Sequence, residues 1–239
     1  AFYLKDMRSG FEAQRRLLQA GVTPVVLRQY DAREVARLFG KFRRENACLL
    51  LVVHEGPRAR VDAEQADTAK IMLEAGGESG PAAAVEHWLA ERNRVPTFRS
   101  FLESGVIVDT IEVAAPYSKI GDLYEDAVAR LGRVPGIWNG SAHSSHAYRS
   151  GLNLYFSFAV QPPRREDLRA SYHECWSAVM EATLSAGGTI SHHHGIGRVR
   201  REWLARELGA GGIAALRAVK QALDPLHFMN PGSLLPDPS

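Results

Sequence analysis

Only two cysteines, Cys48 and Cys175, occur among the 239 residues. One lies in an apolar, strand-like run and the other in a helix-like run, so neither a disulfide framework nor a thiolate zinc site is indicated, and the reducing cytoplasm is the expected compartment. Long hydrophobic runs are lacking too. The longest, Ala47-Cys-Leu-Leu-Leu-Val-Val53, falls far short of the roughly 20 residues that span a bilayer, and no signal-peptide pattern opens the chain. Nor is there an excess of one charge: 29 basic against 27 acidic residues leave a formal net charge of +2, which excludes a nucleic-acid surface as the main business of the protein. Repeats and low-complexity stretches are absent as well. What remains is the composition of an ordinary folded protein, 45% hydrophobic and 23% charged, with a length suited to one domain plus an attached lobe. The first residues, Ala1-Phe-Tyr-Leu-Lys-Asp6, lack Met, from which we expect a portion of a longer polypeptide.

Local patterns alternate helix and strand at first. Ser9 is the expected cap of a helix with Phe11, Leu17 and Leu18 on one face, stopped by Gly21. The β-branched Thr23-Pro-Val-Val-Leu-Arg28 follows as a strand, and Asp31, with Glu34 three residues later, opens a helix over Ala32 to Phe39. Ala47 to His54 reads as a buried strand, Val61 to Leu73 as a helix ended by Gly76-Gly77, and Ala82 to Arg92 as a helix begun by Pro81. Val106 to Val113 alternates apolar and polar as a half-buried strand does, and Tyr117 to Leu131 is helical. Ile137 to Ala147 and Leu152 to Val160 form an antiparallel hairpin linked by Tyr148-Arg-Ser-Gly151. Helices over Arg165 to Ser185, Arg198 to Leu208 and Ala214 to Leu223 follow, the last stopped at Asp224-Pro225. Together these imply an α+β fold: an antiparallel sheet covered on one face by helices, in the manner of a ferredoxin-like cap, with a helical C-terminal extension. The expected division is a substrate-binding cap over residues 1–160 and a helical region over 161–239.

Chemistry concentrates in Gly187-Gly-Thr-Ile-Ser-His-His-His-Gly-Ile-Gly197. Three adjacent histidines, His192, His193 and His194, cannot all point one way, so at least one faces a pocket while another is held by its neighbours. The flanking glycines permit close approach of a flat cofactor. Taken alone, such a run suits a metal-sticky surface patch equally well. Upstream, His143 and His146 stand three residues apart on a strand that Ser144-Ser145 would have to bend for both to reach one site. On the next strand Asn153, Tyr155, Ser157 and Ala159 share a face. A tyrosine beside an imidazolium or guanidinium has its pKa of roughly 10 lowered enough to act as a base, although a strand tyrosine is more often a packing residue.

Ser191-His-His-His-Gly-Ile-Gly-Arg-Val-Arg-Arg-Glu-Trp203 resembles the Ser-His-His-His-Gly-x-Gly segment and basic, Trp-containing helix of the alkyldihydroxyacetonephosphate synthases, within the FAD-linked oxidase superfamily of the vanillyl-alcohol oxidase type. Leu154-Tyr-Phe-Ser-Phe-Ala159 is similar to their aromatic strand, Pro96-Thr-Phe-Arg99 to a Tyr-Ile-Arg-Asp segment, and Asp224-Pro-Leu-His-Phe-Met-Asn-Pro-Gly232 to the superfamily's ending. The resemblance implies the C-terminal, substrate-side portion of an FAD-dependent enzyme. No Gly-x-Gly-x-x-Gly loop occurs here, so the flavin is expected to be held mainly by a domain outside this chain. Carried over by position, Tyr155 is the proton-abstracting tyrosine, Arg99 the arginine that supports it and meets a departing carboxylate, and His193 and His194 are active-site histidines. His143, His146 and His192 are expected on the substrate side, His192 with a structural share, and His194 and Asn230 near the cofactor. No metal is expected.

The implied reaction exchanges the fatty acid of an acyl-dihydroxyacetone phosphate for a fatty alcohol, the flavin acting as electron sink without net redox change. The implied partners are a small-molecule or lipid substrate and the FAD-binding domain; such a lipid would bring peripheral membrane contact, and a homodimer stays open. Ser100 stands where the family has Asp, which puts the substrate in question. Two alternatives stand beside this. One is a metal-dependent 2-hydroxyacid dehydrogenase of the same superfamily, which His194-Gly195 fits but Tyr155 and His193, in place of a ligand His and Glu, do not. The other is a non-catalytic cap module. Arg198, Arg200 and Arg201 read as a solvated face.

Overall fold

In a computed structural model that describes residues 1–94 and 97–235, seven strands form one antiparallel sheet. In chain order they are β1 (Phe2–Leu4), β2 (Val26–Tyr30), β3 (Cys48–Val53), β4 (Glu78–Ser79), β5 (Ile107–Pro116), β6 (Ile137–Ser144) and β7 (Gly151–Val160), and they lie side by side as β4-β1-β3-β2-β6-β7-β5. The helices are α1 (Met7–Gln19), α2 (Ala32–Leu38), α3 (Arg58–Glu74), α4 (Ala83–Glu91), α5 (Arg99–Glu103), α6 (Tyr117–Leu131), α7 (Leu168–Ala186) and α8 (Arg201–Leu223).

The alternation of side chains along each strand sorts the sheet into two faces. On one, Leu50, Ile111, Leu154, Phe156 and Phe158 pack with Leu17 of α1, Met72 of α3, Leu123 of α6 and Val179 of α7 in the main core. On the other, Tyr30, Leu49 and Leu51 meet Val35 of α2 and Ala84 of α4 in a smaller core. Helices therefore cover both faces rather than one. On the second face α2 extends over β6, where the Ser141 hydroxyl donates to Glu34 at 3.0 Å, and β7 presents the polar Asn153, Tyr155 and Ser157.

Several local signals act as expected. Asp31 caps α2, its Oδ1 accepting from the Glu34 amide at 2.8 Å, and α6 occupies Tyr117–Leu131. β6 and β7 pair as the expected hairpin, with His143 opposite Tyr155. Asp6 rather than Ser9 caps α1, accepting from the Ser9 amide at 2.7 Å. Gly209, at φ 69° and ψ 175°, breaks α8 after Leu208 into the two helical pieces that the sequence pattern predicts. Pro96 of the Pro96-Thr-Phe-Arg99 segment lies outside the described residues. Cys48 and Cys175 are both buried and unpaired, and no helix among the described residues is long and apolar enough to cross a membrane.

Candidate active site

A single row of side chains crosses four neighbouring strands on the polar half of the second face. Tyr30 of β2 lies opposite His143 of β6, His143 opposite Tyr155 of β7, and Tyr155 opposite Glu112 of β5. The rings stack along the row, Tyr30 to His143 at 5.3 Å and His143 to Tyr155 at 5.0 Å between centroids. Over its far end lies the histidine loop. Gly187 ends α7 in the left-handed region at φ 73°, and Thr189 then pairs with Ala114 of β5 through backbone bonds of 2.8 and 3.1 Å. Gly188 makes that approach possible, since a Cβ there would stand 2.7 Å from the Ala114 carbonyl. Glu207 of α8 accepts from the Ile190 amide and the Thr189 hydroxyl.

Glu112 is the anchor of the cluster. Its fully buried carboxylate accepts from the His192 amide at 3.0 Å and lies 3.1 Å from Nδ1 of both His192 and His193. Burial opposes its ionisation, yet the His192 amide and the His193 imidazole hold the carboxyl below its usual range. His193 reaches from Glu112 to Tyr155, with Nε2 2.6 Å from the phenol oxygen, and His194 Nε2 stands 3.3 Å from the same oxygen. His192 Nε2 meets the Tyr148 hydroxyl at 3.0 Å. Asn153 receives the Ser145 and His146 amides on its carbonyl oxygen, which turns His146 toward His193 with ring centroids 4.8 Å apart. Expected site residues Tyr155, His143, His146, His192, His193 and His194 thus share one site.

Arg99 and Asn230 are not brought to it. Arg99 opens α5 with an exposed side chain and makes no hydrogen bond to Tyr155 or the histidines among the described residues. Asn230 sits in the segment after α8, which returns to the loop through Leu234 N and the Gly197 carbonyl at 2.9 Å. The arginine that supports the loop is Arg200, which is buried rather than solvated. It donates to the carbonyls of Glu112 at 3.0 Å and Gly195 at 2.6 Å. Arg198 and Arg201 likewise donate to the carbonyls of Pro231 and Gly232. Glu112 escaped sequence reasoning because strand alternation placed it among polar, solvent-facing positions. Its burial depends on β5 lying beside β7, which local pattern does not report.

The electrostatics also depart from expectation. Burial, reinforced by the Glu112 charge, pushes the Tyr155 phenol above its ordinary value instead of below it. Burial pushes His143 down to about 4, against the pull of Glu34, and lowers His146 and His194 as well. His143, His146 and His194 therefore favour the neutral form. Glu112, His192 and His193 also bring one potential ligand atom each within 4.8 Å of one another, a set able to hold a divalent ion.

The family of FAD-linked oxidases, C-terminal domain, matches residues 1–234. The chain belongs to this family of FAD-linked oxidases. It is 27% identical over 265 residues to alkyldihydroxyacetonephosphate synthase of Dictyostelium discoideum, covering 98% of this chain and 43% of that protein. It is 31% identical over 250 residues to the uncharacterized FAD-linked oxidoreductase YgcU of Escherichia coli K12, covering 98% and 51%. A solved alkyldihydroxyacetonephosphate synthase aligns with TM-score 0.66 at 23% identity over 96% of this chain and 43% of that chain. The 4-ethylphenol oxidase of Gulosibacter chungangensis aligns with TM-score 0.68 at 12% identity over 99% and 53%. The chain thus has the fold of this C-terminal domain and spans about half the length of the curated relatives it matches.

Proposed function

We propose that this chain is the substrate-side portion of an FAD-dependent enzyme of the alkyldihydroxyacetonephosphate synthase kind, in which Tyr155 removes a proton from a carbon of the bound substrate. The observation that carries this reading is the chain of contacts from Tyr155 Oη through His193, at 2.6 Å, to Glu112, at 3.1 Å. A neutral phenol is a poor base, and burial keeps Tyr155 neutral. As its oxygen takes the substrate proton, its own proton passes to His193 Nε2, and the Glu112 carboxylate stabilises the imidazolium that forms. His194 Nε2, 3.3 Å from the same oxygen, helps to fix its direction.

The residues present fit a flat cofactor above them. Tyr155 is half-buried, His193 and His194 are exposed, and Gly195 and Gly197 have positive φ and free space where a Cβ would stand. The flavin, when bound, supplies an electron sink for the carbon from which the proton leaves. The exposed Leu223, Leu226, Phe228 and Met229 suit burial against the flavin-binding domain of the whole protein.

A second reading, a metal-dependent 2-hydroxyacid dehydrogenase, is favoured by the Glu112, His192 and His193 set. One experiment separates the two. The full-length flavoprotein is incubated without oxygen with acyl-dihydroxyacetone phosphate and a fatty alcohol, and separately with 2-hydroxyacids and a dye. Release of fatty acid with oxidised flavin regained supports the first reading; metal-dependent dye reduction alone refutes it.

A further inference from the structure

Beyond His143, on the same face of the sheet, a cavity of about 730 Å³ opens between β2, α2 and α4. It shares His143 and Tyr30 with the row that leads to Tyr155. Its walls are strongly basic. Arg37 and Arg94 are neutralised by Glu34 and Glu91, each at 2.8 Å. Arg28 and Arg92 meet no carboxylate among the described residues, and their guanidinium groups lie 5.4 and 5.3 Å from the ring centre of Trp88. Arg28 is further fixed by donating from Nε to the Tyr30 hydroxyl at 2.8 Å, which leaves its terminal nitrogens to be directed elsewhere. His143 adds a buried Nδ1 that has no hydrogen-bond partner among the described residues and stands 3.9 Å from Glu34.

Two guanidinium groups preset by an aromatic ring, without a carboxylate of their own, are a receptor for an oxyanion. Guanidinium forks match the paired oxygens of phosphate, and their excess of two charges answers a dianion better than a single carboxylate. We propose that this cavity is a subsite for a phosphate group carried by the substrate, held by Arg28 and Arg92 with the reacting carbon directed along the His143 row toward Tyr155. The proposal rests on the reading of Tyr155 as the reacting base, since it names the end of the substrate that lies away from that residue. It also accounts for His143, whose neutral ring, kept so by burial, can donate to an anion without adding a charge.

Inorganic phosphate is the probe, titrated by calorimetry into the full-length holoprotein at constant ionic strength, so that binding is read without turnover. Saturable binding is expected, weakened about tenfold or more by Arg28→Gln and by Arg92→Gln, with flavin absorbance unchanged in both. Arg92→Lys, which keeps the charge but neither the fork nor the stack on Trp88, weakens binding less than Arg92→Gln does. Acetate at the same ionic strength binds about tenfold more weakly. Absence of saturable binding, equal affinity in wild type and both Gln variants, or acetate binding as tightly as phosphate overturns the proposal. Tyr155→Phe keeps the phosphate affinity, so a failure of the proposed proton chemistry leaves this measurement intact and the two are told apart.

Discussion

Replacing Glu112 by Gln removes one charge from beneath the histidine loop while keeping the shape of the side chain. In the wild type, Oε2 accepts the His192 and His193 amides at 3.0 and 3.4 Å, and Oε1 faces both imidazoles at 3.1 Å. An amide can serve only one of these two sides as an acceptor, so at least one buried donor loses its partner, at about 1–3 kcal/mol. The larger effect falls on the reaction. A carboxylate and an imidazolium with charge centres about 4 Å apart attract by about 4 kcal/mol at an effective dielectric near 20, which corresponds to roughly a thousandfold in rate. Glu112→Gln in the full-length flavoprotein should therefore lose about 10²–10³ in the rate at which the substrate carbon exchanges its proton with deuterated solvent. What survives should climb with alkaline pH as Tyr155 ionises on its own. A variant within threefold of wild type, with an unchanged pH profile, would show that Glu112 shapes the loop without assisting the proton transfer.

His143→Phe should keep the stacking against Tyr30 and Tyr155 and remove a titration. Because the folded protein holds His143 down at about 4, the unfolded chain protonates first, near 6.5, and stability is lost as pH falls between these values. At about 1.36 kcal/mol per pH unit the loss reaches about 3 kcal/mol. Asp31, raised to about 6 by burial, acts in the opposite sense from about pH 4 to 6, so the effect is read as the difference in melting curves between wild type and variant. Arg200→Met should leave the Glu112 and Gly195 carbonyls without their donor and lower the melting temperature of the holoprotein by about 5–10 °C, a loss of about 2–4 kcal/mol; an unchanged melting temperature would contradict the clamp. Gly188→Ala drives a Cβ to 2.7 Å from the Ala114 carbonyl, so turnover should fall as the histidine loop lifts from β5, at about 1–3 kcal/mol in stability.

Features written in nearby residues were legible. Asp31 caps its helix because a short acceptor three residues ahead of a free amide is a local arrangement, and the β6–β7 hairpin follows from two apolar runs about a turn. The histidine run and Tyr155 could be joined by resemblance, and they meet in space. Legibility ended where strand order decides. Glu112 and Tyr155 are 43 positions apart along the chain yet directly opposed, and the alternation of β5 alone leaves Glu112 on a solvent-facing side. Arg200 looked solvated for the same reason: its carbonyl partners belong to other segments. The raised pKa of Tyr155 was hidden too, since Arg99 lies away from it, and burial, reinforced by the Glu112 charge, outweighs the pull of Arg28.

The role of Tyr155 as the proton-removing group is tested most directly by solvent-deuterium exchange into acyl-dihydroxyacetone phosphate, measured for the full-length flavoprotein and its Tyr155→Phe variant without fatty alcohol. The phenyl ring keeps the stack on His143, so flavin absorbance and folding should be retained. The account predicts exchange slowed by about 10³-fold or more in the variant, since the atom that takes the proton is gone. Exchange at the wild-type rate would contradict it.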